Sequence, residues 1–188
     1  KIILFFGFIR QYKGLDILLH AMADERIKKA GIKLMIAGEF YEDKRTYLDL
    51  IDRLKIEDQL ILKTDFIPDS EVRNYLCAAD AVIQPYRNAT QSGVTPLAYH
   101  FEKPMIVTNV GGLPAMVSHE RSGLVAEPDP ASIARAILKF YQLGEEYFTG
   151  HLRFEKEKYS WTVMVNTIVQ LANDVQNQDH KNKELLSQ

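Results

Sequence analysis

The sequence predicts a doubly wound α/β domain on a parallel sheet, and three observations carry that expectation. Short apolar runs alternate with longer segments of helical period, the pattern of a sheet covered on both faces. The 188 residues, 46% hydrophobic and 26% charged, suit one core of ordinary globular composition. The glycines, prolines and cations that interrupt the pattern gather at the carboxyl ends of the runs, which is where ligands bind in such sheets.

Taken in order, the runs are Ile2–Phe6, Lys33–Ala37, Leu60–Leu62, Ala81–Gln84, Met105–Thr108 and Leu124–Ala126. After the first, Leu15, Leu18, Leu19 and Met22 fall on one helix face. Tyr47, Leu48, Ile51 and Leu54 repeat that spacing after the second. Val72, Tyr75, Leu76 and Ala79 form an apolar helical pattern after the third, and Cys77 within it reads as a core thiol. Ile133, Ala134, Ile137, Leu138 and Tyr141 follow the sixth, introduced by Asp129 as N-cap and Pro130 at the first helical position. A last helix begins after Ser160, with Met164, Val165, Ile168, Ala172 and Val175 on one stripe. The domain is expected over residues 1–176, with the last helix at 160–176 and a polar, frayed tail at 177–188. The chain opens at Lys1 directly into a strand, which points to a domain excised from a longer protein.

Composition excludes several classes of function. The net charge of −2 supplies no basic field for nucleic acid, and Arg26, Lys28, Lys29 and Lys33 read as a solvated face. The single cysteine, in a chain without an internal disulfide, suggests a reducing compartment. No apolar run approaches the ~18–20 residues that span a bilayer, and no signal peptide is visible, so a cytoplasmic location is expected. The histidines, His20, His100, His119, His151 and His180, lack metal-ligand spacing. No Asp-x-Asp pair occurs, and no metal or other cofactor is expected. A phosphoacceptor receiver domain would need clustered carboxylates after the first strand, where this chain has Phe6-Gly7.

Three loops carry residues suited to chemistry. Gly7 ends the first strand and permits close backbone approach, while Arg10 and Lys13 stand in the loop that feeds a helix. Their charges could converge on phosphate, or the loop could be a turn with two solvated cations. Asn88, Gln91 and Ser92 follow the fourth strand and lead into a helix starting near Ser92–Thr95. Pro96 fits its first turn, so its free N–H groups could meet an anion beside hydroxyls and a carboxamide. A capped loop of ordinary polar residues is the alternative. Gly111-Gly112-Leu113-Pro114 closes the fifth strand with a backbone that must pass close to a ligand or a neighbouring loop.

In their order, these stretches resemble the C-terminal domain of retaining glycosyltransferases with the two-domain GT-B fold, family GT4. The resemblance is carried by Phe6-Gly7 with Lys13-Gly14-Leu15-Asp16, Ile36-Ala37-Gly38, Asp80 through Pro85, Lys103-Pro104 through Pro114, and Gly123-Leu124-Val125 with Pro128-Asp129-Pro130. It runs from Ile2 through the last helix and implies a Rossmann-like fold. It also implies that Lys13 and a nearby arginine hold the diphosphate of a nucleotide sugar at Gly7. Arg10 is the candidate arginine, since Phe8 stands where the family more often places it. Phe66 and Ile67 would meet the base, and backbone N–H groups around Gly93, Val94 and Thr95 the phosphates or sugar. The last helix would pack toward the N-terminal acceptor domain, which could also give peripheral membrane association.

The chain departs from the family pattern at one place. The usual Glu-x7-Glu pair after the fourth strand is missing: its positions fall at Ala89 (or Thr90) and Leu97, and no Asp or Glu occurs from Ala81 to Phe101. A further glutamate, after the double glycine, is replaced by Ala115. Ribose and sugar hydroxyls would then be met by neutral Asn88, Gln91 or Ser92, predicting weaker or altered donor binding. Two readings remain: a retaining transferase using a nucleotide-diphosphate sugar, and a non-catalytic binding or assembly module descended from one.

Overall fold

The computed structural model describes the backbone of residues 1–185 and the side chains of residues 1–175. Six parallel strands form one sheet: β1 (Ile2–Phe6), β2 (Lys33–Ala37), β3 (Leu60–Lys63), β4 (Ala81–Gln84), β5 (Met105–Thr108) and β6 (Gly123–Ala126). Their order is β3-β2-β1-β4-β5-β6. Ile3, Leu4 and Phe5 of β1, all of β4 and all of β5 are buried, as central strands covered on both faces must be.

Among the described residues nine α-helices join and flank the strands: α1 (Leu15–Met22), α2 (Glu25–Lys29), α3 (Arg45–Leu54), α4 (Asp69–Ala78), α5 (Val94–His100), α6 (Leu113–Met116), α7 (Pro130–Leu143), α8 (Glu145–Glu157) and α9 (Trp161–Leu185). Helix α1 packs against α3 and α7, and α2 also meets α7, while α5 packs on α8. Right-handed crossovers put the connections running outward from β1 and those running outward from β4 on opposite faces. The chain therefore reverses direction between β1 and β4, and a crevice opens there at the carboxyl end of the sheet.

Local chemistry accounts for the helix boundaries. The Asp129 side chain accepts the N–H of Ser132 at 2.9 Å, with Pro130 at the first position of α7. Within α7 the buried face is Ile133, Ala134, Ala136, Ile137 and Phe140, and Leu138 and Tyr141 lie at its margin. Helix α5 has Gly93 at its N-cap and Pro96 in its first turn.

Three sequence expectations are corrected. Cys77 is exposed: Leu76 and Ala79 face inward, and the next position beyond Leu76 turns about 100° away. In α3 the inward residues are Tyr47, Leu50 and Ile51, while Leu48 is exposed. Where a frayed tail was expected, α9 continues through Leu185; residues 186–188 lie outside the described residues. Along α9 every residue from Trp161 to Val175 is exposed. Of these, Trp161, Met164, Val165, Ile168, Val169, Leu171 and Val175 present a broad apolar arc. Among the described residues no helix is long and apolar enough to cross a membrane.

Candidate functional site

The crevice between β1 and β4 is built by loops tied to one another. Tyr12 accepts the Arg87 N–H through its carbonyl at 2.7 Å, and the Arg87 guanidinium pairs with Asp16 at the start of α1. The Gly7 N–H donates to Ala37, and the Ile9 N–H to Glu39, at 2.9 and 2.8 Å. On the other side the double glycine serves a neighbouring loop. The Gly112 N–H donates to the Ala89 carbonyl at 3.2 Å, and a Cβ on Gly111 would lie 1.5 Å from that same oxygen.

Two adjoining cavities open at these loops and share Phe6, Gly7 and Phe8 as a common wall. One, of about 280 Å³, is lined by Tyr12, Lys13, Tyr86, Gln91, Ser92, Gly93, Val94 and Leu97. The other, of about 210 Å³, is lined by Gly38, Glu39, Phe66, Ile67, Asp69 and Val72. Phe66 is 70% exposed, so its ring stands at the mouth of the second cavity instead of in the core.

Among the described residues Lys13 is the one buried Lys or Arg. It closes a short 3-10 turn, Gln11–Lys13, and is only 8% exposed. Burial, and then the positive charge of Arg10, pull its pKa from 10.5 down to about 8. Its Nζ lies 5.8 Å from the centre of the Tyr86 ring. Gly7, at φ 89°, leaves the room it occupies: a Cβ there would stand 3.2 Å from that Nζ. A buried ammonium held over an open cleft is poised to meet an anion.

The remaining expected site residues divide clearly. Gln91, Ser92, Gly93 and Val94 share the first cavity with Lys13 and Gly7, and Phe66 and Ile67 line the second. Arg10 lines neither; its guanidinium stacks 4.3 Å from the centre of the Tyr41 ring, which in turn meets Phe8 edge-on. Asn88 is exposed and outside both linings. The Thr95 side chain is fully buried and bonds Gln84 within the core. Two of the three expected amide donors are already engaged: the Val94 N–H donates to Ser92 Oγ at 3.2 Å, and the Thr95 N–H to the Ser92 carbonyl at 3.2 Å. Gly93 is the amide of that turn not so engaged. Tyr12, Tyr86 and Leu97 also wall the first cavity, beyond the expected residues; the position of Tyr86 directly after Pro85 at a strand end is the sequence signal for it.

A family model described as glycosyl transferases group 1 matches residues 1–142. The chain belongs to that family. This group 1 glycosyltransferase chain is 30% identical over 166 residues to an uncharacterized glycosyltransferase of Methanocaldococcus jannaschii, covering 86% of the chain and 42% of the relative. It is 28% identical over 130 residues to a D-inositol 3-phosphate glycosyltransferase of Segniliparus rotundus, covering 68% and 29%. Its fold matches sucrose-phosphate synthase from Thermosynechococcus elongatus with a TM-score of 0.77 at 21% identity, over 94% of the chain and 46% of that structure. The Anabaena protein HepE in complex with UDP-glucose matches with a TM-score of 0.75 at 16% identity, over 92% and 48%. The sheet is thus the Rossmann-like C-terminal domain of a GT-B glycosyltransferase of the GT4 type, and the chain spans less than half the length of these relatives.

Proposed function

We propose that the paired cavities hold a nucleotide-diphosphate sugar, and that the chain is the donor-binding half of a retaining glycosyltransferase acting on a glycan or glycolipid. The observation that carries this reading is Lys13, a buried cation in the cleft at the switch point of the sheet. The diphosphate lies against Lys13, Gly7 and the Gly93 amide, and the base enters the cavity beside Phe66 and Ile67. When the bond between the sugar carbon and the diphosphate oxygen breaks, negative charge grows on the leaving group. Lys13 stabilises that charge in a site already desolvated, without reorganisation at the moment of reaction. Arg10 reaches the same phosphates only by leaving the Tyr41 ring. This scheme needs no metal ion. Group 1 relatives more than twice the length of this chain supply the rationale for α9: its apolar arc packs against the remaining half, which binds the acceptor and carries any membrane association.

The test is thermal unfolding of the chain and of the longer protein with UDP, GDP, ADP and UDP-glucose, beside Lys13→Ala. Ligand at a hundredfold over its dissociation constant adds about 2.7 kcal/mol, and each kcal/mol raises the midpoint by roughly 2–4 °C at this size. A shift with one nucleotide that vanishes in Lys13→Ala is the expected result. Silence of the longer protein towards every nucleotide would refute donor binding. Binding without transfer would favour the non-catalytic module, in keeping with the absence of any carboxylate from Tyr86 to Val94.

A further inference from the structure

We propose that Tyr86 is a positioning residue that sets the shape of the Arg87–Gly93 loop through its hydroxyl bond to Ser92. The proposal rests on the donor-binding reading of the cleft and adds the device that holds one of its walls.

Tyr86 leaves β4 at the floor of the crevice and is only 3% exposed. Its backbone is fixed, because its carbonyl accepts the Thr108 hydroxyl at 2.6 Å. Its ring meets Tyr12 edge-on with centres 5.9 Å apart, so the first loop clamps it from above. Its Oη lies 3.1 Å from Ser92 Oγ, a contact across six positions of chain. The intervening residues are mostly exposed: Arg87, Asn88, Thr90 and Gln91 face solvent.

Ser92 is the pivot of the turn into α5. Its Oγ accepts the Val94 N–H and its carbonyl accepts the Thr95 N–H. With those bonds made, the Gly93 amide and the Gln91 side chain are the polar groups of this segment left to face the cavity. Without the Tyr86 hydroxyl, Ser92 Oγ keeps only a local partner two residues away, and the end of the loop that enters α5 loses its bond to Tyr86, while the bonds at Arg87 and Ala89 remain. Burial pushes the Tyr86 hydroxyl up to about 12, opposed by the Ser92 bond, so the pair persists as a neutral bond across ordinary pH. A buried hydroxyl pair of purely structural use would lower stability when broken and leave the cleft unaltered; a positioning pair alters the cleft itself.

The experiment uses Tyr86→Phe, Ser92→Ala, the double variant and Ser92→Thr, which keeps the hydroxyl. Amide hydrogen exchange at Gly93 and Val94 is measured without ligand, and affinity for UDP, GDP and ADP by calorimetry, alongside Lys13→Ala. Tyr86→Phe is expected to speed Val94 exchange about tenfold and weaken the nucleotide that binds about tenfold. Ser92→Ala should match it in affinity and speed Val94 exchange further, since it also removes the acceptor of that N–H; the double variant should be no worse than Ser92→Ala, and Ser92→Thr should retain wild-type behaviour. Loss of affinity in Lys13→Ala with none in Tyr86→Phe overturns the inference and leaves the donor reading standing. If no nucleotide binds the wild type, the donor reading fails, and an unchanged Val94 exchange rate in Tyr86→Phe overturns the inference by itself.

Discussion

Lys13→Met is the most informative single change, because it should stabilise the fold while disabling the site. The side chain is unbranched and of similar length, so the substitution leaves no large void. In the wild type the drop of the Lys13 pKa from 10.5 to about 8 measures the cost of holding the ammonium where it is. At about 1.4 kcal/mol per pKa unit it amounts to roughly 3 kcal/mol. The folded value lies below the unfolded one, so the unfolded chain holds the extra proton between about 8 and 10.5. Wild-type stability therefore climbs with pH across that window and is lowest, on this account, below pH 8. Lys13→Met should exceed wild type by about 2–3 kcal/mol at pH 7, and the gap should close by pH 10.5. Urea unfolding of both proteins at pH 7, 8.5 and 10 measures it. Nucleotide affinity should follow the opposite course, strong below pH 8 and falling above it as Lys13 loses its proton. A variant less stable than wild type at pH 7, or a difference indifferent to pH, would refute the assignment of a buried, uncompensated charge.

Gly111→Ala should cost about 2–4 kcal/mol by urea unfolding, because its Cβ would collide with the Ala89 carbonyl at a φ of 51°; a loss under about 1 kcal/mol would mean that the two loops part easily. Phe66→Ala should leave stability within about 0.5 kcal/mol, its ring being exposed. It should weaken nucleotide binding by the ~1–3 kcal/mol that base stacking on an aromatic ring supplies, read by calorimetry. Tyr99→Phe removes a hydroxyl that donates to the Met116 carbonyl at 2.7 Å and meets Ser122 at 2.9 Å, and should cost about 1–3 kcal/mol. A neutral result by thermal unfolding would show that water replaces it.

The sheet was legible because its signal is local. A strand buried on both faces must be apolar throughout, so β1, β2, β4 and β5 have the predicted bounds, and β3 and β6 differ by one residue. The cap Asp129-Pro130 was legible for the same reason, since an N-cap acts within three residues. The cleft was legible only as an address. Strand ends pointed to Gly7, Lys13, Gln91 and Phe66, but side-chain direction in a loop depends on partners far along the chain. Arg10 turns to Tyr41, 31 positions on, and Ser92 turns back to Tyr86; neither pairing leaves a periodic trace. Gly111-Gly112 showed that something comes close, and only the fold reveals that the neighbour is the Ala89 carbonyl. Cys77 was misread because an apolar stripe constrains its own positions and says little about the residue one step around the helix.

Trp161, 78% exposed at the root of α9, is the one tryptophan of the chain. Its emission therefore reports a single place, with no other indole to confuse it. In this chain it should fluoresce at the red wavelengths of a water-bathed ring and be quenched freely by iodide. Covering the apolar arc by whatever polypeptide belongs there should shift the emission to the blue and shield it. For this chain the single indole would thus report, without a label, whether the proposed covering of α9 takes place.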